Sequence, residues 1–169
     1  MLFNVLLGIE KIDKKEVNIK YREAVRAVII KENKILLIHS NLGDYKFPGG
    51  GVEKSESHTD GLIREVAEET GYINCVVKDK MGVVIERHLD EYDQDAYFEM
   101  TSHYYLCELT DNEKVAQQLD DYESAQEYTP KWLTIDEAIK QNQKAINQFE
   151  KNRWINRENF VLKELKKIH

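Results

Sequence analysis

The sequence predicts an α/β (α+β) fold in which a mixed β-sheet is sandwiched between helices. Three observations carry that expectation. Apolar, β-branched runs recur through the first two-thirds of the chain, one helix is marked at both ends between Ser57 and Gly71, and helical patterns close the last third. The 169 residues are 41% hydrophobic and 33% charged, a balance that excludes a disordered or membrane-spanning chain and leaves enough apolar material for a core. No internal repeat or composition shift marks a linker. Residues 1–169 are therefore expected to form a single domain, with an N-terminal strand segment over about 1–21 and C-terminal helices over about 134–168.

Met1 to Ile9 is apolar, lacks a basic start and a small-residue cleavage pattern, and is too short to cross a bilayer, so it reads as a strand. Such a strand could contribute to a homodimer contact. Glu23–Ile30 and Lys34–His39 form a predicted hairpin around the turn Lys31-Glu32-Asn33. Asn41 to Glu56, rich in Gly, reads as a loop interrupted by Tyr45-Lys46-Phe47. A helix is expected from about Ser57 to Thr70, because Ser57 and Asp60 have N-cap spacing and Gly71 stands at the C-terminal stop. Tyr72–Val77, Gly82–His88 and Tyr97–Leu109 then read as strands, with Asp90 to Asp95 as a solvated connection. After a polar segment from Thr110 to Glu127, Trp132-Leu133 ends a short strand, and Thr134 with Glu137 opens a helix to about Gln148. A last helix, about Arg157 to Lys167, places Phe160, Val161, Leu165 and Ile168 near one face.

A net charge of −7 argues against a nucleic-acid platform, which needs a basic face for phosphate contacts. No membrane partner is expected either. An acidic protein that handles a polyphosphate requires a cation between the two. Cys75 and Cys107 form no CxxC pair, which suits a reducing cytoplasm and buried structural thiols.

On the marked helix, Glu65, Glu68 and Glu69 stand at i, i+3 and i+4, so at about 100° per residue their carboxylates lie along one stripe. The opposite stripe holds Thr59, Ile63, Val66, Ala67 and Thr70 and is expected to face the sheet. Adjacent carboxylates repel one another, and a hard divalent cation such as Mg²⁺ offsets that repulsion while binding phosphate oxygens and water. An ion placed there neutralises a phosphate oxygen and lowers the pKa of a water nucleophile. Upstream, Gly49-Gly50-Gly51 allows close approach of backbone to a ligand or metal.

From Gly50 the chain continues through five residues to Glu56, then seven to Arg64-Glu65-Val66-Ala67-Glu68-Glu69-Thr70-Gly71-Tyr72. This run resembles the Nudix box of MutT-like hydrolases, which act on nucleoside diphosphates linked to another group. The resemblance implies the Nudix fold, a small-molecule nucleotide substrate, and Mg²⁺ with Mn²⁺ as a substitute. It further implies that Glu65, Glu68 and Glu69 bind metal, that Glu65 and Glu68 share in catalysis, that Glu56 completes the acid network, and that Arg64 orients a glutamate through a bidentate contact. The implied reaction is water attack at phosphorus, breaking a P–O–P bridge and releasing a nucleoside monophosphate. Tyr72, in place of an aliphatic residue, and Ser55, in place of a common Gly, depart from the pattern without touching the acids.

Family members differ in where the final base resides, and of Glu123 and Glu127 the second is preferred here. The chain has no proline between Pro48 and Pro130, where family members that prefer ADP-ribose often carry one about fifteen residues past the box, which lowers the ADP-ribose option. Nucleoside diphosphate sugars and dinucleoside polyphosphates are alternative substrates, and a noncatalytic nucleotide-binding module is the alternative from another class. His39, His58, His88, His103 and His169 lack zinc-like spacing and read as surface or packing residues, and Asp90, Asp93 and Asp95 lack the pattern of a calcium loop. Among Tyr45, Phe47, Tyr97 and Phe98, Tyr45 is the first candidate for stacking on a base.

Overall fold

The run Ala24 to Ile29 is buried on both faces, and the layering follows from that fact. The computed structural model describes residues 1–12, 17–148 and 153–169. Its elements are β1 (Phe3–Gly8), β2 (Asn18–Lys31), β3 (Lys34–His39), β4 (Tyr45–Lys46), β5 (Gly49–Gly51), α1 (His58–Thr70), β6 (Cys75–Leu89), β7 (Ala96–Leu109), α2 (Asp121–Ala125), β8 (Thr129–Leu133), α3 (Ile135–Gln148) and α4 (Arg153–Lys166). The strands run in the order β1-β6-β7-β2-β3-β4, with β5 paired to β2 and β8 to β3. Pairings β1/β6 and β2/β7 are parallel, whereas β6/β7, β2/β3 and β2/β5 are antiparallel, which makes the sheet mixed as expected.

Successive side chains of a strand point to opposite faces. Val25, Ala27 and Ile29 of β2 meet Leu62 and Val66 of α1, while Val28 shares the second core cluster with Ala138 of α3 and Val161, Leu162 and Leu165 of α4. The sheet is therefore covered by helices on both faces, an α+β sandwich. Among the described residues no helix is long and apolar enough to cross a membrane. Cys75 and Cys107 are free and buried.

Several local expectations are redrawn. The hairpin turn needs only two residues: Glu32 and Asn33 both adopt the left-handed conformation (φ 51° and 62°), and Lys31 pairs with Lys34. The glycine loop contributes a strand, because Gly49, Gly50 and Gly51 pair with Arg26, Val25 and Ala24. The predicted strands 72–77 and 82–88 are largely one strand, β6, carried past Lys78 to Lys80 by an irregular register between Val77 and Gly82. Tyr72 itself makes only an isolated bridge to Lys114. The polar segment conceals α2, opened by a capping box between Asp120 and Glu123. Helix α4 starts at Arg153, and its buried face uses Ile155 and Leu162 in addition to Val161 and Leu165, whereas Ile168 lies beyond the helix and is exposed.

The opening of α3 is a reciprocal cap: Thr134 Oγ1 accepts from the Glu137 N–H (3.2 Å), and the Glu137 carboxylate accepts from the Thr134 N–H (2.8 Å). Thr134→Ala removes one half of the exchange and is expected to cost about 1 kcal/mol in urea unfolding. An unchanged midpoint would show that the cap is dispensable.

Candidate active site

Helix α1 is held at both ends as its sequence requires. Ser57 accepts from the Asp60 N–H at the start, and Gly71 takes the left-handed conformation at the end (φ 82°), which a side chain would resist. Between them, Leu62 and Val66 fill the core. Residues 62, 65, 66 and 69 share one face of a helix, and Glu65 (9% exposed) and Glu69 (4%) consequently point inward beside the apolar residues, with Glu68 half-buried. This corrects the expected arrangement, in which the acids lay opposite the buried stripe with Ile63 and Ala67 against the sheet. Ile63 and Ala67 are only half-buried.

Burial of two carboxylates is tolerated because the glycine strand lies against them. The Gly49 N–H donates to Glu69 Oε2 (3.0 Å), and a Cβ on Gly50 would sit 2.5 Å from Glu65 Oε1. Arg26 Nη1 in turn donates to the Gly49 carbonyl (3.2 Å), fixing the strand's peptide from the other side.

Arg64 gathers the remaining acids. Its Nε and Nη2 form a bidentate pair with Glu56 (2.8 and 2.9 Å), its Nη1 donates to Glu65 (3.0 Å) and Glu68 (3.2 Å), and Nη2 also reaches the Gly51 carbonyl (3.2 Å). The bidentate contact goes to Glu56, with single bonds to the helix glutamates. The guanidinium holds the Glu56 carboxyl at about 2. Burial pushes Glu65 up despite Arg64, with Glu68 and Glu123 adding to the rise. It pushes Glu69 well above the usual range, partly opposed by the Gly49 N–H and reinforced by Glu65 and Glu123. The site thus compensates Glu56 fully, gives Glu65 a single contact from Arg64, and leaves Glu69 with no ion-pair partner among the described residues.

A cavity of about 440 Å³ opens beside Glu69. It carries cations from β2 and β4 (Arg22, Arg26, Lys46) and acids from α2 (Glu123) and its cap (Asp120). Its aromatic lining comes from Tyr122, Tyr128 and Trp154. Lys46 lies 4.4 Å over the Tyr128 ring, and the Trp154 indole N–H donates to Asp44 (2.9 Å). Two larger cavities, about 590 and 480 Å³, lie between β6 and α4 and contain none of the α1 glutamates.

The structure separates the two downstream acids. Glu123 lines the cavity and acts electrostatically on Glu69, whereas Glu127, the preferred residue in the sequence, is exposed and outside the lining. Tyr45 is also elsewhere: its ring packs on His39 (centroids 4.9 Å) and its backbone is bridged by Asn142. Phe47 is core, edge-on to Tyr104. Tyr122, Tyr128 and Trp154 were not singled out in the sequence, which carries no local signal that they converge. Asp90 closes its own turn by accepting from the Tyr92 and Asp93 N–H groups, as a solvated connection should.

Two of the histidines set aside in the sequence do converge. Among the described residues, the one group of three or more His, Cys, Asp or Glu donor atoms within 4.8 Å of one another is Glu23, His58 and His103. Glu65, Glu68 and Glu69 do not close to that spacing; they are spread between Arg64 and the Gly49 N–H.

A family model described as NUDIX domain matches residues 20–156. A curated ADP-ribose pyrophosphatase of Methanocaldococcus jannaschii is 42% identical over 84 residues, 44% of this chain and 49% of that protein. An 8-oxo-dGTP diphosphatase of Buchnera aphidicola subsp. Schizaphis graminum is 40% identical over 57 residues, 31% of this chain and 44% of that protein. The chain thus spans about half the length of the curated relatives it matches. Among solved structures, a MutT protein from Methanosarcina mazei Go1 aligns with TM-score 0.49 at 22% identity, covering 73% of this chain and 83% of that one. An ADP-ribose pyrophosphatase from Streptococcus suis aligns with TM-score 0.48 at 23% identity, covering 68% of this chain and 75% of that one.

Proposed function

Because the chain belongs to the Nudix family, we propose that it hydrolyses a phosphoanhydride bond of a nucleotide, releasing a nucleoside monophosphate, with Mg²⁺ as its cofactor and Mn²⁺ as a substitute. The observation that carries this reading is the buried carboxylate of Glu69, which has no ion-pair partner among the described residues, at a cavity that also presents Arg22, Arg26 and Lys46, with the buried Glu65 beside it on the same helix face. Buried carboxylates whose charge is disfavoured by burial form an oxygen donor set suited to a hard divalent cation. Glu65, Glu68 and Glu69 would hold it. The chemistry such an ion supplies when bound is neutralisation of phosphate charge and a more acidic water.

The chain's own groups do the rest. Arg22, Arg26 and Lys46 bind the anionic phosphates, and Tyr128 and Trp154 offer faces for the nucleoside. Arg64 keeps Glu56, Glu65 and Glu68 in register, so it acts as a positioning residue for the acids. Glu123 faces Glu69 across the cavity and is the better placed of the two downstream acids to accept a proton. We read residues 1–169 as one domain, since Phe3 of β1 and Leu165 of α4 close the same core cluster.

The test is a nucleotide panel assayed for released phosphate or pyrophosphate in Mg²⁺ and in Mn²⁺. ADP-ribose belongs in it: the missing proline counts against that substrate, yet a relative 42% identical bears its name. Tight nucleotide binding with no phosphate release in either metal would replace hydrolysis with a noncatalytic module. Gly50→Ala should lower kcat by about 100-fold with little change in melting temperature, because the new methyl group displaces the Glu65 carboxylate by a fraction of its length. Unaltered kcat in that variant would remove Glu65 from the machinery.

A further inference from the structure

We propose that Glu23, His58 and His103 form a second metal site, selective for a borderline cation of the Zn²⁺ type and separate from the acid cluster of α1. The three come from different elements: Glu23 from β2, His58 from the first turn of α1, and His103 from β7. Register brings them together. In the parallel β2/β7 pair Glu23 is opposite Thr101, two residues before His103 and on the same face. The Glu23 Oε1 lies 2.9 Å from Nε2 of each imidazole, and the two rings are 4.5 Å apart between centroids.

A tetrahedral ion with bonds of about 2.0–2.1 Å requires donor atoms about 3.3 Å apart, so the observed spacing accommodates one after an adjustment of a few tenths of an ångström. Two imidazoles and one carboxylate suit Zn²⁺, Co²⁺ or Ni²⁺ and are a poor set for Mg²⁺. His58 already has the outer partner that metal-bound histidines use: its Nδ1 is 2.8 Å from the Tyr105 hydroxyl, which fixes the ring with Nε2 toward Glu23.

A cluster of ordinary hydrogen bonds accounts for less. Both ring nitrogens of His103 are buried, and neither makes a well-aligned hydrogen bond despite the short approach to Glu23. Burial, assisted by Lys80 and His58 and opposed by Glu23, favours the neutral ring, which is the ligating form. The Glu23 carboxylate faces both rings from the β2 side. Its side chain is half-exposed, which leaves a coordination position open to water. An ion here would tie the start of α1 to β2 and β7 without using any α1 glutamate, so the inference does not rest on hydrolysis.

The experiment is Zn²⁺ calorimetry and thermal melting in saturating Mg²⁺, which occupies oxygen-donor sites, followed by Co²⁺ absorption in the visible. The expected result is one equivalent of Zn²⁺ bound and a raised melting temperature. Tyr105→Phe should weaken binding by about 10- to 100-fold, and His58→Gln or His103→Gln by at least as much. Melting in chelator tells whether a histidine variant is folded; Glu23→Gln, at a half-exposed position, carries the same test if it is not. Absence of Zn²⁺ uptake in the wild type, or undiminished uptake in folded His103→Gln or Glu23→Gln, would overturn the site. Turnover is not a readout, so a failure here and a failure of the proposed hydrolysis are told apart.

Discussion

Glu69→Gln is expected to lower turnover by about 10³-fold while making the metal-free protein more resistant to heat. The two effects have one cause. Glu69 is almost fully buried, burial raises its carboxyl well above the usual carboxylate range, and the Gly49 N–H donates to it. A group whose pKa rises on folding contributes stability that is fully present below about 4.5 and is lost as pH climbs through its folded-state value. A catalyst working at neutral pH needs the carboxylate, whereas burial in the metal-free fold favours the protonated form. Gln cannot ionise and keeps an oxygen for Gly49, so it removes the penalty together with the proposed metal ligand.

The measurement is a melting series in chelator from acid to neutral pH, wild type against variant, repeated with Mg²⁺. The wild type should lose stability relative to Glu69→Gln as pH rises, and Mg²⁺ should recover it for the wild type alone. Parallel pH curves would show that Glu69 carries no buried charge, and full turnover in the variant would remove it from the chemistry.

The second large effect is structural and lies one layer behind the site. Glu158→Ala is expected to cost about 3–5 kcal/mol, a large part of the margin of an ordinary domain. Glu158 is 0% exposed and Arg157 2%. Arg157 donates to Glu158 through Nε and Nη2 (3.0 and 2.6 Å) and to Glu86 of β6 through Nη1 (2.7 Å), and Glu158 also accepts the Phe47 N–H (3.0 Å). Deleting Glu158 leaves a buried guanidinium with half its partners and an amide at the entrance to the glycine strand with none. Because Phe47 precedes Pro48-Gly49, turnover should fall as well. Urea unfolding checks the first claim. Glu86→Ala, at the rim of the same network, should cost less; a loss under about 1 kcal/mol for Glu158→Ala would mean that water replaces the lost partner.

Local structure is legible in the sequence where short-range chemistry governs. Ser57, Gly71 and the Thr134–Glu137 exchange mark helix ends by chemistry confined to a few residues. The orientation of α1 escapes the sequence because amphipathicity assumes that charge faces water, whereas Glu65 and Glu69 are buried and Glu69 lines a cavity beside the core. Gly49 to Gly51 looked like a loop because glycine has low strand propensity, yet β2 supplies hydrogen-bond partners for which a glycine backbone is small enough. Helix α2 was hidden in a polar segment because, with no buried residue, it has no apolar period to show.

By itself the sequence determined the ends of α1 and α3 and the spacing of Arg64 and its glutamates, which rest on neighbours within about two turns of chain, and the alternation of strand and helix patterns that implies a sheet between helices. Tertiary structure alone decided that Glu123 and not Glu127 meets Glu69, that Tyr128 and Trp154 line the cavity, and that Glu23 finds His58 and His103. The physical reason is that each contact joins segments far apart in the chain: the parallel register of β2 with β7 sets Glu23 beside His103, and the packing of α2 and α4 around the sheet sets the cavity lining. Local pattern reports which face of a strand is apolar; only the assembled sheet decides which polar residues share it.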